Sequence, residues 1–299
     1  MKYEKYFNLL WFHRIERYGA VKLVMTLLVR DAEAILRENL EFHLRQGIDY
    51  FIITDNCSVD GTVGIVREYA ERGCAELILE PRDDFSQWRW VTRMARRAAT
   101  HHGADWVVNN DDDEFWFAHS GRLRDALERT PDSCDGLVVE RYNHPPIADH
   151  GGREFLEAMI YRECRSLNAL GHLLPPKVCH RAFADIVVAQ GNHMASRESG
   201  PLDIRPGPDF SISHFPIRDF ASFERKIVNG GAAYARNTEL SPDVGGTWRW
   251  LYSIWQEGRL RAWYEDQLLT PAKIAEGLAR RSLVPDDSVL RALRLGAGA

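Results

Sequence analysis

The chain has 299 residues, with 38 Lys+Arg against 43 Asp+Glu and a formal net charge of −5, a balance that argues against a basic nucleic-acid binder. With 45% hydrophobic and 27% charged residues, the composition excludes disorder over the whole chain and allows one large or two ordinary domains. Five cysteines, odd in number and widely spread, fit neither a disulfide framework nor a zinc knuckle.

Residues 1–20 combine Tyr6, Phe7, Leu10, Trp11 and Ile15 with Lys2, Lys5, Arg14 and Arg17, an amphipathic segment that suits a helix packed on its own domain or one lying on a membrane. They lack the apolar core and cleavage site of a secretory leader. No stretch approaches the roughly 20 apolar residues of a membrane span, since even residues 21–29 include Lys22 and Thr26. The expected location is the cytoplasm, either free or peripheral to the inner face of the membrane.

From residue 21 short β-branched runs alternate with segments of helical spacing, the pattern of successive βα units. Residues 21–29 are a buried strand; Asp31 caps a helix with Ile35, Leu36, Leu40 and Leu44 on one face, and Gly47 stops it. Residues 50–54 form the second strand, and Asp60-Gly61-Thr62 opens a helix with Ile65, Val66 and Tyr69 inward. Residues 75–80 are the third strand, 87–102 a helix anchored by Trp88, Trp90 and Met94, and 105–110 a fourth strand that runs into Asp111-Asp112-Asp113-Glu114. A helix at 122–129 and a strand at 136–142 come next. Residues 143–176, with His144-Pro145-Pro146, Gly151-Gly152 and Pro175-Pro176, are expected to form a long excursion without regular structure. Short strands near 178–183, 186–189 and 210–214 precede helices at 219–236 and 247–257. The organisation expected is an amphipathic segment (1–20), an α/β catalytic domain (21–240) and a helical carboxy-terminal appendage (241–299).

Four carboxylates in a row after an apolar strand repel one another and are costly to bury without a cation. A divalent metal, Mn²⁺ or Mg²⁺, is the natural partner, and a solvated acidic turn is the plain alternative. Alternation along an extended backbone lets Asp111 and Asp113 share a face. Two carboxylates leave most of an octahedral shell to phosphates and water. At the second strand's end, Asp55 is placed to accept from a base N–H or a ribose hydroxyl, whereas Ser58 and Asp60 suit ordinary turn chemistry equally well.

Together, Leu28-Val29-Arg30-Asp31, Asp55-Asn56-x-Ser58-x-Asp60-Gly61-Thr62 and Asp111-x-Asp113-Glu114-Phe115 resemble glycosyltransferase family 2 and its relatives, in the branch with a D-x-D-E-F signature. The resemblance covers residues 21 to about 118 and extends more loosely to about 236. It implies a GT-A fold with a mixed central sheet flanked by helices, a nucleotide-sugar donor, a divalent metal held by the D-x-D element, and inversion at the anomeric carbon. On the same pattern Asp55 meets the nucleobase, Arg30 and Asp60 line the nucleotide pocket, and Asp111 and Asp113 hold the ribose and the metal-bound diphosphate. The branch also has a His-x-x-x-Arg stretch followed by a helix Lys, which here makes His214 a further metal ligand or diphosphate contact and Arg218 and Lys226 diphosphate partners. Lys177 is a candidate for a phosphate, and His193 for an acceptor contact or for packing.

The base is not legible. Family 2 enzymes are expected to use a carboxylate in a Glu-Asp pair well after the D-x-D element, and none stands there; Tyr264-Glu265-Asp266 comes too late, leaving Glu140 and Asp185 as candidates. Trp248, Trp250, Trp255 and Trp263 suit core or interface better than a sugar platform. The acceptor, whether glycan, lipid or small molecule, is not specified. Two other readings stand beside hexosyl or related transfer: a catalytically silent nucleotide-sugar-binding module, and a Mg²⁺-dependent phosphohydrolase or nucleotidyltransferase using the acidic cluster alone.

Overall fold

The structure is a computed structural model and describes residues 21–84, 86–241 and 243–294. The amphipathic segment at 1–20 lies outside the described residues. Strands and helices alternate through the first part of the chain: β1 (Leu23–Val29), α1 (Glu33–Arg45), β2 (Tyr50–Asp55), α2 (Thr62–Glu71), β3 (Ala75–Leu79), α3 (Gln87–Thr100), β4 (Trp106–Asn110), β5 (Glu114–Ala118) and α4 (Leu123–Glu128). Short elements come next: β6 (Gly136–Val139), β7 (Arg141–Asn143), α5 (Phe155–Ala158), β8 (Tyr161–Glu163), β9 (Lys177–Arg181), β10 (Ile186–Val188), β11 (Ala195–Arg197), β12 (Ile204–Pro206) and β13 (Phe210–His214). The chain ends on α6 (Phe220–Arg236), α7 (Gly246–Gln256), α8 (Leu260–Gln267), α9 (Pro271–Ala279), β14 (Leu283–Pro285) and α10 (Ser288–Arg294).

The main sheet has the order β12-β6-β9-β4-β1-β2-β3, with β9 running against its neighbours. Alternate residues of β1 serve opposite faces, as the two-residue period of a strand demands. Leu23, Met25 and Leu27 pack with Leu36 and Leu40 of α1, while Val24 packs with Val91, Met94 and Ala95 of α3. Truncating a buried leucine such as Leu27 in this layer costs about 2–5 kcal/mol. The fold is therefore the mixed, mostly parallel, helix-covered sheet expected of GT-A. Because β1, β2 and β4 are parallel and in register, the turns after Val29, Asp55 and Asn110 open at one edge, where open α/β sheets bind ligands.

Three local expectations change. Asp31 does not cap α1; Ala32 holds that position, and Asp31 sits at φ 53°, accepting from the Val59 N–H and Asn229 Nδ2 while its own N–H donates to Ser58 Oγ. The strand expected at 136–142 breaks at Glu140, so β6 joins the main sheet and β7 a second one. Residues 143–176 contain α5 and β8, and β8 pairs antiparallel with β14 near the other end of the chain. The carboxy-terminal helices pack back on the α/β layer: α6, α7 and α8 share an apolar cluster around Phe223, Ile227, Leu251 and Ile254, and Val289 of α10 joins Ile35 and Phe42 of α1. Trp248, Trp250, Trp255 and Trp263 pack against the α6–α8 cluster. Among the described residues no helix is long and apolar enough to cross a membrane.

Candidate functional site

A three-stranded sheet, β5-β13-β7, builds the centre of the site. Its register places Glu114 opposite His214, and His214 beside Asn143. Residues paired in register share a face, so three strands from distant parts of the chain present a carboxylate, an imidazole and an amide in one row. Asp113 precedes this row, and its carbonyl accepts the N–H of Phe215. The backbone of the acidic turn is held from below by α1, whose buried face carries two polar residues one turn apart. Asn39 Nδ2 donates to the carbonyls of Asp112 (2.9 Å) and Glu114 (2.8 Å), and His43 Nε2 accepts the N–H of Trp116 at 3.1 Å.

The acidic side chains are neutralised by the chain's own cations. Lys177, only 1% exposed, pairs with Asp111 and lies 3.3 Å from Glu114; Arg141 reaches Glu114 at 2.8 Å; Lys226 pairs with Asp113. Asp111 also accepts from Asn192 (3.1 Å) and Gln87 (3.4 Å). Burial works against ionisation of Asp113, but the Lys226 ammonium, with Arg218 behind it, holds it below the usual carboxylate range. Burial, with Asp113 alongside, pushes Asp112 up to about 6, and burial pushes Glu114 up to about 7 against the pull of Lys177 and Arg141.

Burial also drives His214 well below its ordinary value, so the ring is neutral. Asn143 donates Nδ2 to the Leu167 carbonyl, which turns its Oδ1 toward His214 Nδ1 at 2.8 Å. The ring proton therefore sits on Nδ1, and the Nε2 lone pair faces Asp113 Oδ2 at 3.7 Å. A lone pair and a carboxylate oxygen facing each other want a cation between them. Glu114 adds a third donor: Asp113, Glu114 and His214 offer ligand atoms within 4.8 Å of one another, and Glu114 Oε2 is buried with no hydrogen-bond partner. One imidazole and two carboxylates suit Mn²⁺ or Mg²⁺, with Asn143 as the outer residue that fixes the ring tautomer.

Asp113 and His214 of this group border a cavity of about 910 Å³, in the size range of ligand pockets. Arg30, Asp111, Asp113, Lys177, His214, Arg218 and Lys226, all singled out in the sequence, line it together with His193. Arg30 is already engaged by Asp83 at 2.6 Å, and His193 Nδ1 by the Pro176 carbonyl at 2.8 Å. Asp55, Asp60, Glu140 and Asp185 are not part of that lining. Asp55 is buried at the tip of β2, with Oδ2 accepting the Ser58 N–H (3.2 Å) and Oδ1 without a partner. Asp60 ties two helix starts together, accepting from the N–H groups of Thr62 and Glu33 while Glu33 accepts from Gly61. Glu140 is exposed at a smaller neighbouring cavity. Asp185 is taken up by Ser199 and Arg197, which pull it down to about 2, so neither base candidate stands where an acceptor would enter.

Asn39, Glu114, Asn143 and Glu163 do not emerge as site residues from the sequence. Signals existed for two of them: Glu114 stands in the acidic run, and Asn39 and His43 interrupt the apolar face of α1 at i, i+4, a spacing that marks polar groups turned toward something buried.

No family model matches the chain, and no curated protein matches it. Solved structures do. TarS of S. aureus (residues 1–349) is 13% identical with a TM-score of 0.43, over 92% of this chain and 90% of that one. The same protein in complex with UDP-GlcNAc is 14% identical with a TM-score of 0.44, over 74% and 68%. The mannosyltransferase PcManGT of Pyrobaculum calidifontis, in complex with GDP-Man and Mn²⁺, is 14% identical with a TM-score of 0.41, over 93% and 87%. These are likenesses of outline between distant chains, and they assign neither residues nor substrates.

Proposed function

We propose that the protein is a metal-dependent, inverting glycosyltransferase that moves a sugar from a nucleotide-diphosphate donor to an acceptor hydroxyl. The observation that carries this reading is the presence, along one cavity, of an imidazole–carboxylate group with an uncommitted lone pair and of the basic side chains of Lys177, Arg218 and Lys226. Asp113, Glu114 and His214 would hold the metal, with Asp111 at the cavity floor beside Lys177 for the ribose side of the donor. When bound, the metal supplies charge stabilisation to the departing diphosphate.

The chain's own residues do the rest. Lys226 and Arg218 border the cavity beside Asp113, where they would meet the phosphates and stabilise the charge that grows on the leaving group. Asp55 keeps one unspent carboxylate oxygen at the tip of β2 for a base or ribose donor, reached after a small shift of the turn at 56–61. Arg30 and Asp60, in our reading, shape that nucleotide end, the first from the lining and the second through the turn. Lys177 stands between Asp111 and Glu114 and keeps the two carboxylates apart.

The test is calorimetric titration with UDP, GDP and CDP, each with Mn²⁺ and with chelator. Tight binding of one nucleotide only with metal is expected and names the donor class. No binding of any nucleotide overturns the proposal and turns attention to phosphohydrolase or nucleotidyltransferase chemistry. One observation favours the silent binding module as a second reading: Glu140 and Asp185 both stand outside the cavity. That reading predicts the same binding with no turnover of donor.

A further inference from the structure

Among the described residues seven carboxylates line the cavity, and all but one of these are committed or exposed to solvent. Asp111, Asp112 and Asp113 belong to the cation-neutralised cluster, and Asp31 is bound to the Val59 N–H and Asn229. Asp266 and Glu276 are exposed, and Glu276 pairs with Arg280 at 2.9 Å. Glu163 differs. It is half-buried at the end of β8, its Oε2 has no hydrogen-bond partner, and the groups that act on the carboxylate are the neutral Ser166 and Asn143. Asn143 is the residue that also orients His214, so this carboxylate stands one residue away from the candidate metal group.

We infer that Glu163, which lines the cavity, is the catalytic base of the transfer reaction, accepting the proton of the acceptor hydroxyl at its carboxylate. In that step the acceptor oxygen forms a bond to the anomeric carbon, the bond from that carbon to the phosphate oxygen breaks, and its electron pair leaves with the nucleoside diphosphate. The acceptor's proton passes to the Glu163 carboxylate and then to solvent. Three properties suit the role. Among the described residues no cation pairs with this carboxylate, so its basicity is not spent on an ion pair. Burial raises its affinity for a proton above that of an ordinary glutamate, with Ser166 and Asn143 opposing, which moves it toward the range where a general base works. Its strand is stapled to β14 through the pairing of Glu163 with Leu283, so the group stands on paired backbone.

This inference rests on the glycosyltransferase reading, and the experiment separates the two. Release of nucleoside diphosphate from UDP-glucose, UDP-N-acetylglucosamine and GDP-mannose is measured with Mn²⁺ and water as acceptor, for the wild type, Glu163→Gln, Glu163→Asp and Asp266→Asn, alongside calorimetric binding of the nucleotide. The expected result is a loss of about 100-fold or more in kcat for Glu163→Gln with nucleotide affinity unchanged within about twofold, and partial recovery in Glu163→Asp. Glu163→Gln turning over within about threefold of the wild type overturns the inference while leaving the glycosyltransferase reading intact. So does a loss confined to Asp266→Asn. A wild type that binds nucleotide yet releases no product removes both transfer and this role, and one that binds no nucleotide removes the parent reading itself. Unchanged nucleotide affinity in Glu163→Gln shows that the variant is folded.

Discussion

The tips of β2 and β4 both carry carboxylates at the same sheet edge, and they are quieted by different means. At β2, backbone N–H groups serve Asp60 and one oxygen of Asp55, and Asp60 thereby belongs to the frame of two helix starts. At β4, ammonium and guanidinium groups on long side chains serve Asp111, Asp113 and Glu114. A backbone donor cannot leave without unfolding its turn, whereas the half-buried side chain of Lys226 is free to swing aside. The contrast separates carboxylates that hold the scaffold from carboxylates that are held in readiness.

The sharpest way to break that contrast is Lys177→Met. Removing a fully buried cation leaves Asp111 and Glu114 facing each other, and a loss of about 3–5 kcal/mol in unfolding free energy is expected from denaturant titration. A loss near zero would mean that the cluster tolerates its own charge without the lysine. Next, Asp113→Asn should weaken Mn²⁺-dependent nucleotide binding about 100-fold, roughly 2.7 kcal/mol, without changing the thermal midpoint by more than a few degrees. An unchanged Mn²⁺ titration would remove Asp113 from the metal group. Asp60→Ala, on the scaffold side, should cost about 1 kcal/mol through the lost bonds from the Thr62 and Glu33 N–H groups while leaving nucleotide affinity within about threefold. A binding defect larger than its stability defect would move Asp60 to the ligand side of the comparison.

The smallest effect concerns the support beneath β4. Burial holds His43 neutral and pushes its pKa down to about 3, against 6.5 for a free imidazole. Because the folded pKa is depressed, the unfolded chain binds the extra proton, so this stability is present above pH 6.5 and is lost as pH falls toward 3. Between pH 7 and pH 6 the loss amounts to about 0.7 kcal/mol for this one group. His43→Gln should flatten the pH dependence of unfolding by that amount, as measured by denaturant titration at the two pH values.

The first half of the fold was legible because β1 and β2 are runs of buried, mostly apolar residues, each ended by a turn signal and followed by a helix of regular period. From β6 onward the strands shrink to three to five residues, too short for a period to declare itself, and their pairing is non-local: β8 finds β14 and β5 finds β13. The site followed the same divide. Asp111 and Asp113 announce themselves as a run of charge, and His214 and Lys226 entered through a family likeness. Glu114 was visible in the same run but unassigned, since only the β5–β13 register shows it facing His214. Asn143 and Glu163 sit among His, Pro and Gly pairs with no local pattern around them, and only their neighbours in space mark them out.

That register also orders the site in time. As the nascent chain emerges, Asp111, Asp113 and Glu114 are made long before Lys177, His214 and Lys226, so the β4 tip is first a patch of mutually repelling charge that water must solvate. It can close over only when β9 delivers its lysine and β13 and α6 arrive with the imidazole and the second ammonium. Any cation present during synthesis can shelter the tip until then, and the finished protein inherits a centre that its own late-arriving side chains seal last.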